Sequence, residues 1–94
     1  MKIKNSSFNE WLKGQNIFFL EGEYCRLNQH FGYIDVNERE LIGLMMIYLL
    51  DKGYAIDKVG NCYWISGYVN GAYRRIENSS LFTALKEAIE GVEG

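Results

Sequence analysis

Apolar positions recur at helical spacing in three stretches of the chain. In the last stretch they fall on one face of an amphipathic helix, at Leu81, Leu85, Ala88, Ile89 and Val92. The polar run Asn78-Ser79-Ser80 precedes this stretch and supplies its cap. A short first helix is predicted near the N-terminus, where Ser7 and Glu10 have the spacing of a capping box and Gly14 ends the pattern.

The middle helix is predicted to begin after Asn37, which can cap it, and to end at Gly53. Its apolar residues surround almost the whole circumference, whereas a helix that covers one face of a sheet needs a single stripe. They are Leu41, Ile42, Leu44, Met45, Met46, Ile47, Leu49 and Leu50. We therefore expect this helix to be covered on more than one side, either by the N-terminal third of the chain or by a second subunit.

Short apolar runs bounded by turn residues predict strands. Residues 17–20 and 24–27 form extended segments, and no element is assigned to residues 28–36. A three-stranded meander follows the middle helix, with strands at 54–59, 62–69 and 72–77. The turns of this meander are Gly60-Asn61 and Asn70-Gly71, and the second favours a type I′ turn with positive φ at both central residues.

Two-residue turns set the register of the meander and divide its side chains between two faces. The register places Tyr68 opposite Tyr73, and it places Trp64 between Asp57 and Glu77. One face is aliphatic and forms a core for the two longer helices; it holds Tyr54, Ile56, Ile65, Val69, Ala72 and Ile76. The other face mixes aromatic and charged residues: Ala55, Asp57, Val59, Trp64, Ser66, Tyr68, Tyr73, Arg75 and Glu77.

The mixed face has two interpretations. In the first interpretation, residues 1–35 cover the mixed face, because monomers rarely expose large apolar patches. In the second it is a partner or self-association surface, since Trp, Tyr and Arg are the residues enriched at interface anchors. The candidate interaction surface consists of Trp64, Tyr68, Tyr73, Arg75, Asp57 and Glu77.

The order of elements from Glu38 onward is α-β-β-β-α, preceded by a short helix and extended segments. This order predicts an α+β domain in which helices pack on an antiparallel sheet of three or slightly more strands. At 94 residues the chain has room for one domain, 1–94. Residues 1–36 are predicted to be a covering segment, and residues 37–92 the core.

Composition and charge limit the classes of partner that the chain is expected to bind. The net charge is −2, and the only adjacent basic pair is Arg74-Arg75, which disfavours nucleic acid because phosphate binding needs a basic surface. The longest apolar run, residues 41–50, is about half the length that spans a bilayer, so no membrane partner is expected. The N-terminus has no apolar signal-peptide region, and the expected compartment is the cytoplasm, with reduced thiols.

Residues that could carry chemistry are scattered. His30, Cys25 and Cys62 lack the paired spacing of zinc ligands, and no nucleophile or acid lies beside the histidine. Glu21 and Glu23 would point the same way on a strand, where a solvated pair is the default. We predict no catalytic, metal or cofactor site, and a chain that is not an enzyme.

Two resemblances follow from these elements. The α-β-β-β-α order is also that of double-stranded RNA-binding domains, but the last helix begins Asn78-Ser79-Ser80 and lacks that family's basic residues. Residues 31–92 resemble small phage and prophage proteins with an ABA-sandwich domain. The matching features are the lead-in Tyr33-Ile34-Asp35, the strand residue Trp64 and the last-helix motif at 84–89. This resemblance implies a phage or mobile-element origin and no particular activity.

These observations together predict a non-enzymatic protein-interaction domain. The chain is then expected to be a phage or mobile-element protein that binds a protein of the host cell. The other expected partner is a second copy of the chain in a homodimer. The alternatives are a nucleic-acid-binding module that uses Arg74, Arg75 and stacked tyrosines, and a small structural protein.

Overall fold

A computed structural model describes residues 2–92, over which helices and strands form an α+β domain, as the sequence predicts. The elements are α1 (Ser6–Gly14), β1 (Ile17–Leu20), β2 (Glu23–Asn28), β3 (Gly32–Asp35), α2 (Glu38–Asp51), β4 (Ala55–Val59), β5 (Cys62–Val69), β6 (Ala72–Asn78) and α3 (Leu81–Gly91). The strands form two antiparallel three-stranded sheets, in the orders β1-β2-β3 and β4-β5-β6.

The register of the second sheet is the one that its turns predict. Tyr68 pairs with Tyr73, and Trp64 pairs with both Asp57 and Glu77. The turn residues Asn70 and Gly71 have φ values of 52° and 82°, as a type I′ turn requires. Local backbone preference at this turn therefore determines which side chains share each face of the sheet.

The N-terminal region differs from the expected covering segment because it forms a sheet of its own. Glu21 and Gly22 have φ values of 51° and 84° and join β1 to β2 in a tight hairpin. β3 lies in the stretch to which the sequence assigns no element. Asn28 turns the chain into it, because its side-chain oxygen accepts hydrogen bonds from the backbone N–H groups of His30 (2.8 Å) and Phe31 (3.1 Å).

The cap of α1 is Asn5, and the prediction of Ser7 is wrong. Asn5 Oδ1 accepts a hydrogen bond from Phe8 N at 2.9 Å, and Asn5 Nδ2 donates to Ile89 O (2.7 Å) and Val92 O (3.0 Å). The same side chain therefore satisfies the start of α1 and the end of α3, which explains its burial. The predicted caps of the other helices are confirmed: Asn37 accepts from Glu40 N, and Ser80 from Thr83 N.

One hydrophobic core joins the helices and the inner faces of both sheets. Its buried residues are Ile3, Phe8, Leu12, Ile17, Tyr24, Leu41, Met45, Tyr48, Leu49, Tyr54, Ile65, Ile76, Ala84, Leu85, Ala88 and Ile89. The N-terminal sheet enters this core together with α1, because the Tyr24 hydroxyl accepts a hydrogen bond from Ile3 N (2.9 Å) and donates one to Asn9 Oδ1 (2.7 Å).

Within residues 2–92, helix α2 is covered by α1, α3 and β4, as expected for a helix with apolar residues around most of its circumference, and one strip of it stays open. Tyr48 meets the α1 rings of Phe8 and Trp11 at centroid distances of 5.0 and 5.4 Å. On the opposite side, Ile47 and Leu50 are 50% and 52% exposed. The N-terminal third thus supplies part of the expected cover, and an apolar strip of α2 stays open to solvent.

Candidate interaction surface

The residues predicted to form an interaction surface lie together on the outer face of the β4-β5-β6 sheet. Alternation along the strands places their side chains on that face, away from Ile65 and Ile76, which are buried in the core. Helix α3 packs on the inner face, against β5 and β6. We call this surface the aromatic face; it consists of Asp57, Trp64, Tyr68, Tyr73, Arg75 and Glu77.

Tyr68 and Tyr73 form an exposed pair at the Asn70-Gly71 end of the aromatic face. The ring centroids are 5.6 Å apart and the ring planes meet at 70°, an edge-to-face arrangement. The two side chains are nevertheless 71% and 60% exposed. They touch each other and leave most of their apolar surface in water.

Trp64 and Arg75 form the other half of the face. The Arg75 guanidinium carbon lies 4.4 Å from the Trp64 ring centroid, within the range of a cation–π contact. Arg75 Nη2 also forms an ion pair with Glu77 Oε1 at 2.8 Å. Trp64 is half-buried beneath these neighbours. The stacking and the ion pair both restrain the guanidinium, whose hydrogen-bonding edge stays partly accessible.

These exposures test the first interpretation of the aromatic face, in which residues 1–35 cover it. If residues 1–35 covered it, Tyr68 and Tyr73 would be buried. Those residues instead form α1 and the separate β1-β2-β3 sheet. The aromatic face is therefore open, and the expectation that the N-terminal segment covers it is wrong.

Arg74, next to Arg75 in sequence, points to the inner side of the sheet. Its guanidinium lies against Gly91 at the end of α3, where a β-carbon would be 1.6 Å from Nη1. A cation at the C-terminal end of a helix interacts favourably with the helix dipole. The adjacent pair Arg74-Arg75 is thus divided between two faces and does not form one basic patch.

The residues considered as possible catalytic groups or metal ligands lie in separate elements of the structure. Cys62 lies in β5, Cys25 in the middle of β2, and His30 in the exposed turn after β2. Burial raises the pKa of the Cys25 thiol, and its hydrogen bond to Asp35 raises it further, which favours the protonated, unreactive form. No group of His, Cys, Asp and Glu side chains within residues 2–92 is arranged to hold a metal ion.

A second exposed apolar surface was missed by sequence reasoning. It lies on the outer face of the N-terminal sheet, where Phe18 and Tyr33 meet at a centroid distance of 6.1 Å, with Leu20 and Leu27 beside them. Leu20, Leu27 and Tyr33 are 38%, 40% and 53% exposed. The Glu21-Gly22 turn was an available signal, because a two-residue hairpin there pairs Phe18 with Cys25.

Within residues 2–92, no helix is both long enough and apolar enough to cross a lipid bilayer.

Comparison of the chain with protein-family models, with curated proteins and with solved structures found no match in any of the three. The functional assignment therefore depends on the residues and geometry described above.

Proposed function

We propose that this chain is a non-enzymatic protein-interaction domain that binds its partner through the aromatic face. The observation that supports this most directly is the exposure of Tyr68 (71%) and Tyr73 (60%) beside a stacked Trp64–Arg75 pair. Trp, Tyr and Arg are the residues that most often carry the binding energy of protein interfaces.

The surface is also organised before it binds. Tyrosine has few side-chain rotamers to lose, and the two rings already restrain each other by an edge-to-face contact. The Arg75 side chain is held by Trp64 on one side and Glu77 on the other. Binding therefore costs little side-chain entropy, which improves affinity for a given contact area.

The partner that we propose is a folded protein with a complementary surface. The resemblance to phage ABA-sandwich proteins favours a host protein, to which a phage or mobile-element accessory protein or inhibitor would bind. A second copy of the chain is the other protein partner, and the exposed Ile47 and Leu50 strip of α2 is an additional apolar surface for such a homodimer.

A nucleic-acid-binding function is the alternative, because exposed tyrosines can stack on unpaired bases. Three observations weigh against it. Arg75 already forms an ion pair with Glu77, and Arg74 lies against Gly91 on the other side of the sheet. The net charge of −2 also gives no general attraction to phosphate.

The test is a comparison of surface variants in a pull-down from a host lysate, followed by binding measurements with the purified partner. Tyr68→Ser combined with Tyr73→Ser removes the exposed ring pair, and we expect about a tenfold or greater loss of affinity. Phe31→Ser is the matched control, since Phe31 is an 80% exposed aromatic residue in the turn between β2 and β3, away from the aromatic face. Both variants should keep the melting temperature of the parent protein.

Distinct outcomes separate the alternatives. Light scattering that shows a dimer lost in the Tyr68→Ser, Tyr73→Ser variant identifies a second copy as the partner. Salt-dependent binding of single-stranded DNA or RNA, abolished by Arg74→Glu with Arg75→Glu, would establish the nucleic-acid function instead. A monomer that binds neither protein nor nucleic acid would refute the proposal.

A further inference from the structure

Strand β3 leaves one side of the N-terminal sheet unpaired. Its neighbour is β2, and each of its residues, Gly32–Asp35, is exposed. Val36 N donates a hydrogen bond to Tyr24 O at 2.8 Å, which sets the phase of the ladder. Along an antiparallel ladder, residue pairs that exchange backbone hydrogen bonds alternate with pairs that do not. Val36 belongs to a hydrogen-bonded pair, so Ile34, two residues earlier, does too, and its backbone groups point toward β2. The N–H and C=O groups of Tyr33 and Asp35 therefore point outward, available to another strand.

The outer face beside this edge has an apolar floor and an acidic rim. A cleft of about 590 Å³ is lined by Leu20, Glu21, Glu23, Cys25, Tyr33 and Asp35. Leu20 and Tyr33 contribute the exposed apolar surface. The Cys25 thiol donates a hydrogen bond to Asp35 Oδ1 at 3.5 Å, so it orients that carboxylate without neutralising it.

The carboxylates of this cleft form no ion pair with a lysine or arginine of residues 2–92. The lining contains no lysine or arginine, and none of its acidic residues takes part in the ion pairs formed within residues 2–92. The nearest arginine along β2, Arg26, points to the opposite face and forms an ion pair with Glu40 of α2. The cleft is thus complementary to a ligand that is both basic and apolar.

We infer that β3 binds an extended basic segment of another protein, which adds to the sheet as a fourth strand. Residues of the added strand opposite Tyr33 and Asp35 would point to the outer face, where lysine or arginine side chains meet Asp35 and Glu23 and their methylene groups lie on Tyr33. The residue opposite Ile34 would point to the inner face, where an apolar side chain fits. This site is separate from the aromatic face and would function independently of it.

The same charges argue against a second copy of this chain at the edge. Pairing β3 with β3 about a twofold axis perpendicular to the sheet keeps the outer faces of both copies on one side. It would place two sets of Glu21, Glu23 and Asp35 on one continuous sheet face with no cation among the cleft residues. A basic partner removes this repulsion, whereas a second copy doubles it.

The experiment is an NMR titration of the protein at low salt with a capped five-residue peptide that alternates lysine and valine. We expect the amide protons of Tyr33 and Asp35 to become protected from exchange on binding, while that of Ile34 is protected before the peptide is added. Asp35→Asn combined with Glu23→Gln should weaken binding about fivefold or more. Glu87→Gln, which alters an exposed carboxylate on α3, is the control and should leave the affinity unchanged.

Two modified peptides separate charge from backbone pairing. A peptide with glutamate in place of lysine should not bind, and one with N-methylated lysines, which cannot donate hydrogen bonds to the edge, should lose most of its affinity. Equal binding of either peptide would overturn the proposal. So would protection of the Tyr33 and Asp35 amides that rises with protein concentration in the absence of peptide, because the edge would then be occupied by a second copy. The variant with Tyr68→Ser and Tyr73→Ser should bind the peptide normally.

Discussion

The ring of Tyr54 packs directly on the backbone of Gly67. A β-carbon at position 67 would lie 2.7 Å from Tyr54 Cδ1 and 2.9 Å from Cε1 and Cγ. Tyr54 immediately precedes β4, and Gly67 lies in β5 on the inner face of the sheet, so the glycine creates the space in which the ring is buried. Arg74 pairs with Gly67 across the strands, yet its guanidinium lies against Gly91 at the end of α3.

We expect Gly67→Ala to destabilise the protein by about 1–3 kcal/mol, because the added methyl group overlaps the ring and forces the core to shift. Thermal or urea unfolding measures this loss. Gly43→Ala is the opposite case: Gly43 lies within α2, and a β-carbon there meets nothing within 4 Å. That change should stabilise the protein by about 0.5–1 kcal/mol through helix propensity alone. Equal effects of the two substitutions would show that the Tyr54 contact does not limit the space at position 67.

Asn5→Ala should destabilise the protein by more than the ~1 kcal/mol of an ordinary helix cap. The substitution removes the cap of α1 and also the donor to Ile89 O and Val92 O, which leaves the buried Ile89 carbonyl without this partner. Asn5→Asp keeps the cap acceptor but turns a buried carboxylate oxygen toward Ile89 O and Val92 O, so it should cost at least as much as Asn5→Ala. Chemical denaturation of these variants and of Ser7→Ala checks the assignment. A Ser7→Ala loss as large as that of Asn5→Ala would contradict it.

Tyr24 and Tyr48 are both buried but differ in what their hydroxyl groups do. The Tyr24 hydroxyl bonds Ile3 N and Asn9 Oδ1, so Tyr24→Phe leaves polar groups unpaired and should cost about 1–3 kcal/mol. The Tyr48 hydroxyl is buried with no hydrogen-bond partner within residues 2–92, so Tyr48→Phe should leave stability unchanged or raise it. Unfolding free energies of the two variants test the contrast, and a costly Tyr48→Phe would disprove it.

Glu90 should make stability depend on pH in the acidic range. Burial by itself raises the pKa of this carboxyl, but hydrogen bonds from Lys4 N (2.8 Å) and Lys86 Nζ (2.9 Å) outweigh burial and lower the pKa below its ordinary value of 4.5. The unfolded chain therefore binds the proton more readily than the folded chain. The contribution of Glu90 to stability is complete above the ordinary value and is lost as the pH falls through the folded-state pKa.

The measurement is the unfolding free energy of the parent protein and of Glu90→Gln between neutral pH and about pH 2.5, a range that brackets ordinary carboxyl pKa values. The difference between the two proteins should be largest near neutrality and should shrink on acidification. Glu87→Gln, an exposed neighbour on α3, is the control and should parallel the parent protein at every pH. A parent–variant difference that does not change with pH would rule out this role for Glu90.

The hairpins show how much of the fold follows from local sequence. Asn70-Gly71 predicts both the turn and the pairing of Tyr68 with Tyr73, because few residues accept the positive φ values that a two-residue turn demands. The caps Asn37 and Ser80 are predictable for a similar reason, since each bonds a backbone group three residues away. These features depend on residues close in sequence, and tertiary contacts did not alter them.

The candidate surface was predictable in membership but not in exposure. Strand alternation alone places Trp64, Tyr68, Tyr73 and Arg75 on one face. Whether that face was open depended on where residues 1–35 go. The Glu21-Gly22 hairpin and the Asn28 turn build a separate sheet from them, and the aromatic face stays exposed.

The sequence by itself therefore determined the helices, the meander and the residues that share each of its faces, because these follow from φ preferences, capping and periodicity over a few residues. The tertiary structure alone decided that the Asn5 side chain also bonds the end of α3, that Tyr54 occupies the space at Gly67, and that the β3 edge and the aromatic face are open. Each of these depends on groups far apart in the chain. Asn5 and Ile89, for example, meet only because the packed core brings the start of α1 to the end of α3.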